Sequence, residues 1–420
     1  MQSEKNDFSG NQSPAKNTSP ASRLERWLIE RLLQRLGDPP IRVRFWDASA
    51  LEPKSGAAQT VINIHDRTTL WRLVRQPMLN FGDDYSLGRI TIDGSLVNFL
   101  DTVFRHRPHL RASSPTRRQL AERLQRVRRN TLRGSRQNIH HHYDIGNAFY
   151  RLWLDHEMQY TCAYFPDPDM PLEAAQLAKL DHVCRKLQLK PGETVVEAGC
   201  GWGGLARHMA RYYGVKVRAY NISTEQVAYA RERAAQEGLA DRVEYVLDDY
   251  RTIDGQYDAF VSVGMLEHVG VEHYQALGKV IDRALGAQGR GLIHTIGQNQ
   301  ASPMTAWAER RIFPGAYPPT LREMMLIFEP HDFSVLDVEN LRLHYARTLE
   351  HWLARYEDHA GEIERMFDAD FVRTWRLYLA SSIASFTSGK LQLFQVLFAR
   401  SRHNALPWSR AHLYTPEQAA

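Results

Sequence analysis

The stretch from Lys190 to Gly297 constrains the fold more than any other part of the chain. Short apolar runs alternate there with amphipathic ones: "ETVVEAG", "GGLARHMARYYG", "KVRAYNIS", "TEQVAYARERAAQEG", "VEYVLDD", "YDAFVSVG", "YQALGKVIDRALG" and "GLIHTIG". The shorter runs lack strict alternation, as strands do when both faces of a parallel sheet are covered. Each is followed by a covering helix, which predicts a doubly wound, Rossmann-like α/β domain.

The first turn of that series reads "VVEAGCGWGG", a strand, an acidic residue, a glycine-rich turn and a helix start. Gly199, Gly201 and Gly203 let the backbone turn sharply and approach a ligand, while amides at the helix start point toward it. A dinucleotide site would usually spell GxGxxG and close its second strand with a carboxylate. Here the second strand ends "AYNIS", at Asn221, and the acidic pair Asp248 and Asp249 closes the third, where it can accept from an adenine amino group. With Glu197 two residues ahead of Gly199, the pattern favours S-adenosylmethionine over NAD. "STEQ", Ser223 to Gln226, has capping-box spacing, so Gln226 belongs to a helix start and can also reach the cofactor.

Around this core the chain divides unevenly. Residues 1–20 are rich in Ser, Asn, Pro and Gln and lack a signal-peptide apolar core, which predicts a disordered tail. Residues 21–108 form a smaller α+β unit with a binding or positioning role, lipid being the candidate ligand. It has a helix in "LERWLIERLLQRLG", strands in "IRVRFWD" and "TVINIHD", a helix in "TLWRLVRQP" and a glycine-punctuated stretch "FGDDYSLGRITIDGSL". Residues 138–410 hold the α/β domain. Beyond Ala301 the pattern predicts long aromatic-rich helices, Arg342 to His359 and Phe371 to Arg400, as a cap over one end of the sheet.

Net charge is +5 with pI near 9.0, and the excess gathers in a linker, residues 109–137. In "RRQLAERLQRVRR", Leu120, Leu124 and Val127 recur at helical spacing among arginines, a basic amphipathic helix able to lie on an anionic surface. A solvated linker helix fits the same pattern. No nucleic-acid recognition motif accompanies the arginines. No apolar run approaches the roughly 18 residues needed to cross a bilayer, so the expected location is cytoplasmic, peripheral on the inner face of the membrane, and a homodimer is admitted. The cysteines, Cys162, Cys184 and Cys200, are odd in number and lack CxxC spacing, so neither a disulfide framework nor a zinc knuckle is indicated. In "IHHHYD" only an extended His-x-His-x-Asp could converge on an ion, and no metal is expected.

Joined in order, "HHYDIGNAFY", "MQYTCAYF", "GCGWGG", "DDYR", "SVGMLEHVG", "HTIG", "RIFPGAYPP" and "LQLFQVLFAR" resemble the cyclopropane-fatty-acyl-phospholipid synthase family. "FGDDYSLGRITIDG" is similar to the N-terminal unit of its longer bacterial members. The resemblance implies a class I methyltransferase domain that moves a methyl from S-adenosylmethionine to a cis double bond in a phospholipid acyl chain, followed by proton loss and ring closure. It also implies a bound bicarbonate ion as base, caged by Cys162, Glu267, His294, the backbone of Ile296, and Tyr345. Cofactor contacts implied in the same way are Tyr160, Thr161, Gly199, Gly201, Gly203, Gln226 and Asp249. Glu197, Thr161 and Asn221 stand where family members often carry Asp, Ser and Thr. Such an alkene is a weak nucleophile that needs orientation, and the resulting carbocation needs a dry aromatic pocket. Tyr143, Phe149, Tyr164 and Tyr317 are candidate lining. Two rivals remain at this point: methylation without ring closure, and a methyltransferase acting on a small metabolite. A lipid- or nucleic-acid-binding protein with a relict domain is the non-enzymatic alternative.

Overall fold

The computed structural model describes residues 19–106 and 145–414. The basic linker, the "IHHHYD" motif with Tyr143, and nearly all of the expected tail lie outside the described residues. Ser19 and Pro20, the last two of that tail, are held: the Trp46 indole donates to the Ser19 carbonyl at 2.9 Å and Arg67 to the Pro20 carbonyl at 3.1 Å.

The N-terminal residues build a four-stranded sheet with four helices. In chain order these are α1 (Arg23–Arg35), β1 (Ile41–Arg44), β2 (Ala50–Leu51), β3 (Thr60–Ile64), α2 (Arg67–Arg75), α3 (Pro77–Ser86), β4 (Ile90–Asp93) and α4 (Leu96–His106). The sheet order is β2-β1-β3-β4, parallel only between β1 and β3. Ser22 and Glu25 close a capping box at the start of α1. The stretch "FGDDYSLGRITIDGSL", read only as glycine-punctuated, contributes the end of α3, all of β4 and the approach to α4.

The second part runs α5 (Asn147–Arg151), α6 (Leu172–Leu187), β5 (Thr194–Ala198), α7 (Gly204–Tyr212), β6 (Lys216–Asn221), α8 (Thr224–Gln236), β7 (Val243–Leu247), β8 (Tyr257–Val263), α9 (Tyr274–Ala284) and β9 (Leu285–Gly297). It continues with α10 (Ala306–Arg311), α11 (Leu321–Phe328), β10 (Phe333–Asn340), α12 (Arg342–Asp358), α13 (Ala360–Met366), α14 (Ala369–Thr387) and β11 (Gln392–Arg400). Seven strands form one sheet in the order β10-β11-β9-β8-β5-β6-β7. The five from β9 to β7 are parallel, and β11 and β10 close the edge antiparallel. Both sheet faces are covered, as the apolar runs demand. Val195, Val217 and Val261 pack under α6, α7 and α8, while Val196, Phe260 and Ile293 face α9 and α11.

One expectation is corrected here. "LQLFQVLFAR" was assigned to a cap helix running from Phe371 to Arg400, but α14 stops at Thr387 and Gln392–Arg400 is strand β11, between β9 and β10. Gly389, at φ 77°, breaks the helix in a conformation that costs glycine little. The cap therefore consists of α12, α13 and α14. Its aromatic core is continuous with that of the N-terminal sheet: Phe99 and Ile90 belong to the same buried cluster as Trp352 and Trp375.

Candidate active site

Because β5 pairs with β6 on one side and β8 on the other, the strand order reverses there, and ligands of open α/β sheets bind beyond the strand ends at such a point. Gly199, Gly201 and Gly203 leave β5 at φ 83°, 54° and 80°. A Cβ on Gly203 would lie 2.4 Å from the Tyr245 hydroxyl, which donates to the Gly203 carbonyl, so only glycine fits. Asn221 braces the loop from β6, donating to the Gly201 carbonyl at 3.1 Å and to Gln226 Oε1 at 2.8 Å. Asn221 and Gln226 thus act on the loop itself. The Asp249 carboxylate holds Arg251 and caps the turn at Tyr250–Thr252, so an adenine amino group would share it with that guanidinium.

Glu197 is buried at the end of β5 with Oε2 lacking a partner, and burial pushes its carboxyl up to about 8, against the pull of Lys179 and Arg207. An unpartnered carboxyl oxygen beside a left-handed glycine loop is a fitting acceptor for S-adenosylmethionine, which has an ammonium and ribose hydroxyls to offer.

The segment "MQYTCAYF" crosses from this loop toward the cap. It leaves a tight turn in which Asp155 accepts from the amides of Glu157 and Gln159 and Met158 sits at φ 57°. Tyr160 joins the cap: its hydroxyl is 2.7 Å from that of Tyr378, and its ring packs with Tyr150, Trp153 and Trp352. Thr161 points its methyl toward Gly264, just past β8, and its hydroxyl toward Lys179. Cys162 is fully buried, with Sγ 3.1 Å from the Ala163 carbonyl and 4.0 Å from that of Leu341. Burial raises its thiol well above the ordinary value, so it is no thiolate nucleophile.

Leu341 connects Cys162 to the other predicted base-side residues. Its amide donates to the Leu393 carbonyl at 2.8 Å, Leu393 stands opposite Ile296 in the β11–β9 pair, and the Ile296 amide donates to Glu267 Oε1 at 2.6 Å. The Ile296 N–H is thus committed to Glu267. Tyr345 lies one turn past Leu341 on α12, its ring against Trp352 and Phe386. Glu267, in a single 3-10 turn after β8, is buried, and desolvation lifts its carboxyl to about 7 despite the bond from Ile296. His294 is buried two residues before Ile296, and burial holds its ring well below the usual imidazole range. The Gln395 amide nitrogen donates to Nδ1 at 3.0 Å, so the neutral ring carries its proton on Nε2. Glu267 Oε2 and His294 Nε2 are both buried without partners.

The aromatic candidates separate. Phe149 is enclosed by Trp153, Phe371 and Trp375 in the cap core, Tyr164 stacks between His182 and His344, and Tyr317 donates its amide to the Glu267 carbonyl and its hydroxyl to Glu323. Sequence reasoning missed Lys179 and Gln395. Gln395 stood inside a motif misassigned to a helix, which hid its pairing opposite His294. Lys179 had one signal, a lysine between Ala175 and Val183 on the buried stripe of α6.

The fold, the glycine loop and the buried acid define a class I S-adenosylmethionine-dependent methyltransferase. Residues 130–396 match the family described as mycolic acid cyclopropane synthetase, and residues 28–114 match a family described only as a domain of unknown function. The chain belongs to the mycolic acid cyclopropane synthetase family, and is a methyltransferase of the cyclopropane synthase type. It is 42% identical to the cyclopropane-fatty-acyl-phospholipid synthase of Escherichia coli K12 over 270 residues, 64% of this chain and 69% of that one. It is 34% identical over 392 residues, 89% of this chain and 96% of the other, to a Pseudomonas putida protein called "Probable fatty acid methyltransferase". Among solved structures, mycolic acid cyclopropane synthase CmaA1 complexed with SAH and CTAB superposes with a TM-score of 0.60 at 30% identity, covering 63% of this chain and 98% of that one.

Proposed function

We propose that this enzyme converts cis double bonds in the acyl chains of membrane phospholipids into cyclopropanes. The observation that carries the reading is the pair of buried, unpartnered atoms Glu267 Oε2 and His294 Nε2, at the sheet end where the cofactor loop opens. S-adenosylmethionine supplies an electrophilic sulfonium methyl when bound, and the alkene attacks without needing deprotonation. The chain's own task is to align the two and keep water out. The fully buried Tyr150, Trp153 and Trp352 pack around Tyr160, and aromatic ring faces of this kind tolerate positive charge developing on the acyl chain.

Ring closure then needs a weak base for one methyl proton. Bicarbonate suits the two open atoms, with one O–H to give and an oxygen to accept, while the Ile296 amide expected in the cage is taken by Glu267. Ionised Glu267 would accept that O–H through Oε2, and His294 would donate from Nε2–H. Cys162 would wall such a site, and Tyr345 would approach it from α12. We place the enzyme on the inner membrane face as a peripheral protein; among the described residues no helix is long and apolar enough to cross a membrane.

A second reading, methylation of the same alkene without ring closure, draws on the nearly full-length similarity to the protein called a fatty acid methyltransferase. Incubation with unsaturated phospholipid vesicles and methyl-labelled cofactor tests the shared step. Product lipids heavier by one CH2 are expected, and no labelled lipid from any unsaturated species would sink both readings.

A further inference from the structure

We propose that Lys179 is a positioning residue for methyl transfer, acting through Thr161 to hold that hydroxyl as a hydrogen-bond donor to the carboxylate end of S-adenosylmethionine. This rests on the assignment of Thr161 to the cofactor side. Lys179 projects from the middle of α6 and is 2% exposed. Its ammonium donates to Thr161 Oγ1 at 3.0 Å and to Gln159 Oε1 at 2.5 Å. One turn earlier on the same helix, Gln176 donates to the backbone carbonyls of Gln159 and Thr161. Two side chains of one helix therefore fix both the backbone and the side chains of the segment joining the cofactor loop to Cys162.

The direction of these bonds carries the inference. An ammonium has three protons and no lone pair, so Thr161 Oγ1 is the acceptor and its own proton is free to be given away. The rotamer is set from the other side too, since the Thr161 methyl fills the space beside Gly264 and would lie 2.9 Å from a Cβ there. Gln159 lies less tightly, its Cγ at an ordinary contact distance of 3.6 Å from where a Cβ on Gly204 at the start of α7 would sit. The hydroxyl is thereby presented in one orientation as a donor, with a positive charge behind it, which suits an anionic group. The cofactor carries one such group, its carboxylate.

Stability alone does not account for a lysine here. Taking an ammonium out of water is costly, and this one is held by two neutral oxygens rather than an ion pair. Burial lowers it to about 8, against the pull of the nearby Asp155 carboxylate. A methionine of similar volume would fill the same space without that penalty, as buried polar-to-apolar replacements often do.

Calorimetry with S-adenosylhomocysteine, which keeps the carboxylate but cannot react, tests this on the full chain. Lys179→Met and Thr161→Val should each weaken binding about tenfold to a hundredfold, the worth of a hydrogen bond to a charged group. The double variant should be no weaker than the poorer single, since both remove one interaction. Lys179→Gln, which keeps a donor without the charge, should recover part of the loss, and it serves for the same comparison if Lys179→Met does not fold. Loss in Thr161→Val with none in either Lys179 variant, or losses that add in the double variant, overturns the proposal. Unchanged affinity in Thr161→Val overturns it together with the cofactor assignment of Thr161.

Discussion

Glu267, placed on the base side of the proposed site, holds a buried carboxyl at the expense of stability. In an unfolded chain its carboxyl ionises near its ordinary 4.5, but in the fold only at about 7, because burial outweighs the amide bond from Ile296. The sign follows: the folded state holds its proton more tightly, so this contribution to stability is complete below 4.5 and lost as pH rises to about 7. Glu267→Gln keeps an oxygen for the Ile296 amide and cannot ionise. It should therefore be more stable than the parent at pH 8, by on the order of 3 kcal/mol, and no more stable at pH 4, as urea denaturation at the two values would show. Its turnover should fall by about a hundredfold or more, the range for a general acid–base network, with cofactor binding retained. Loss of cofactor binding as the sole defect would mean that Glu267 belongs to the other half of the site.

At the scale of elements, the junction between β8 and the crossing segment is a tight part of the site. Gly264 stands at φ 74° and its amide donates to the His294 carbonyl, so one residue touches the base side through its backbone and Thr161 through the space above it. Gly264→Ala adds strain at a positive φ and pushes on the Thr161 methyl. Cofactor affinity should drop about tenfold or more while the melting temperature falls only slightly; an unchanged dissociation constant would show that Thr161 can move without penalty. The parallel strands were legible because their short apolar runs alternate with amphipathic, helix-length ones, and the loop after β5 because its glycines have a stated task. β11 was not legible. Leu393, Phe394, Val396 and Phe398 are all buried, and a run covered on both faces has no period by which to tell a strand from a core helix. The break at Gly389 was the signal available. Cys162, Glu267, His294 and Ile296 were placed by family resemblance, whereas the route through Leu341 and Leu393 that links them, part hydrogen bond and part strand register, depends on long-range pairing that no local pattern encodes.

Across the whole molecule, the N-terminal sheet and the cap share one core, so the two parts are mechanically joined. Arg311 grips Asp83 with two bonds of 3.0 Å, Thr387 donates to Asp101 at 2.7 Å, and Arg373 donates to the Ser86 carbonyl at 2.6 Å. The Trp307 ring rests on Gly82 so closely that a Cβ would come within 2.3 Å. Gly82→Ala should loosen this joint by about 1–3 kcal/mol, lowering activity on vesicles while leaving cofactor affinity unchanged; equal loss of both would show that the joint supports the cofactor domain itself. The central claim, ring closure on bilayer lipids, is tested most directly by product analysis with cofactor carrying a fully deuterated methyl. The account predicts a lipid that has gained one CD2 unit, has lost its alkene and shows cyclopropane resonances by NMR. A branch retaining all three deuteriums, or a product that still contains a double bond at the methylated carbon, would contradict it.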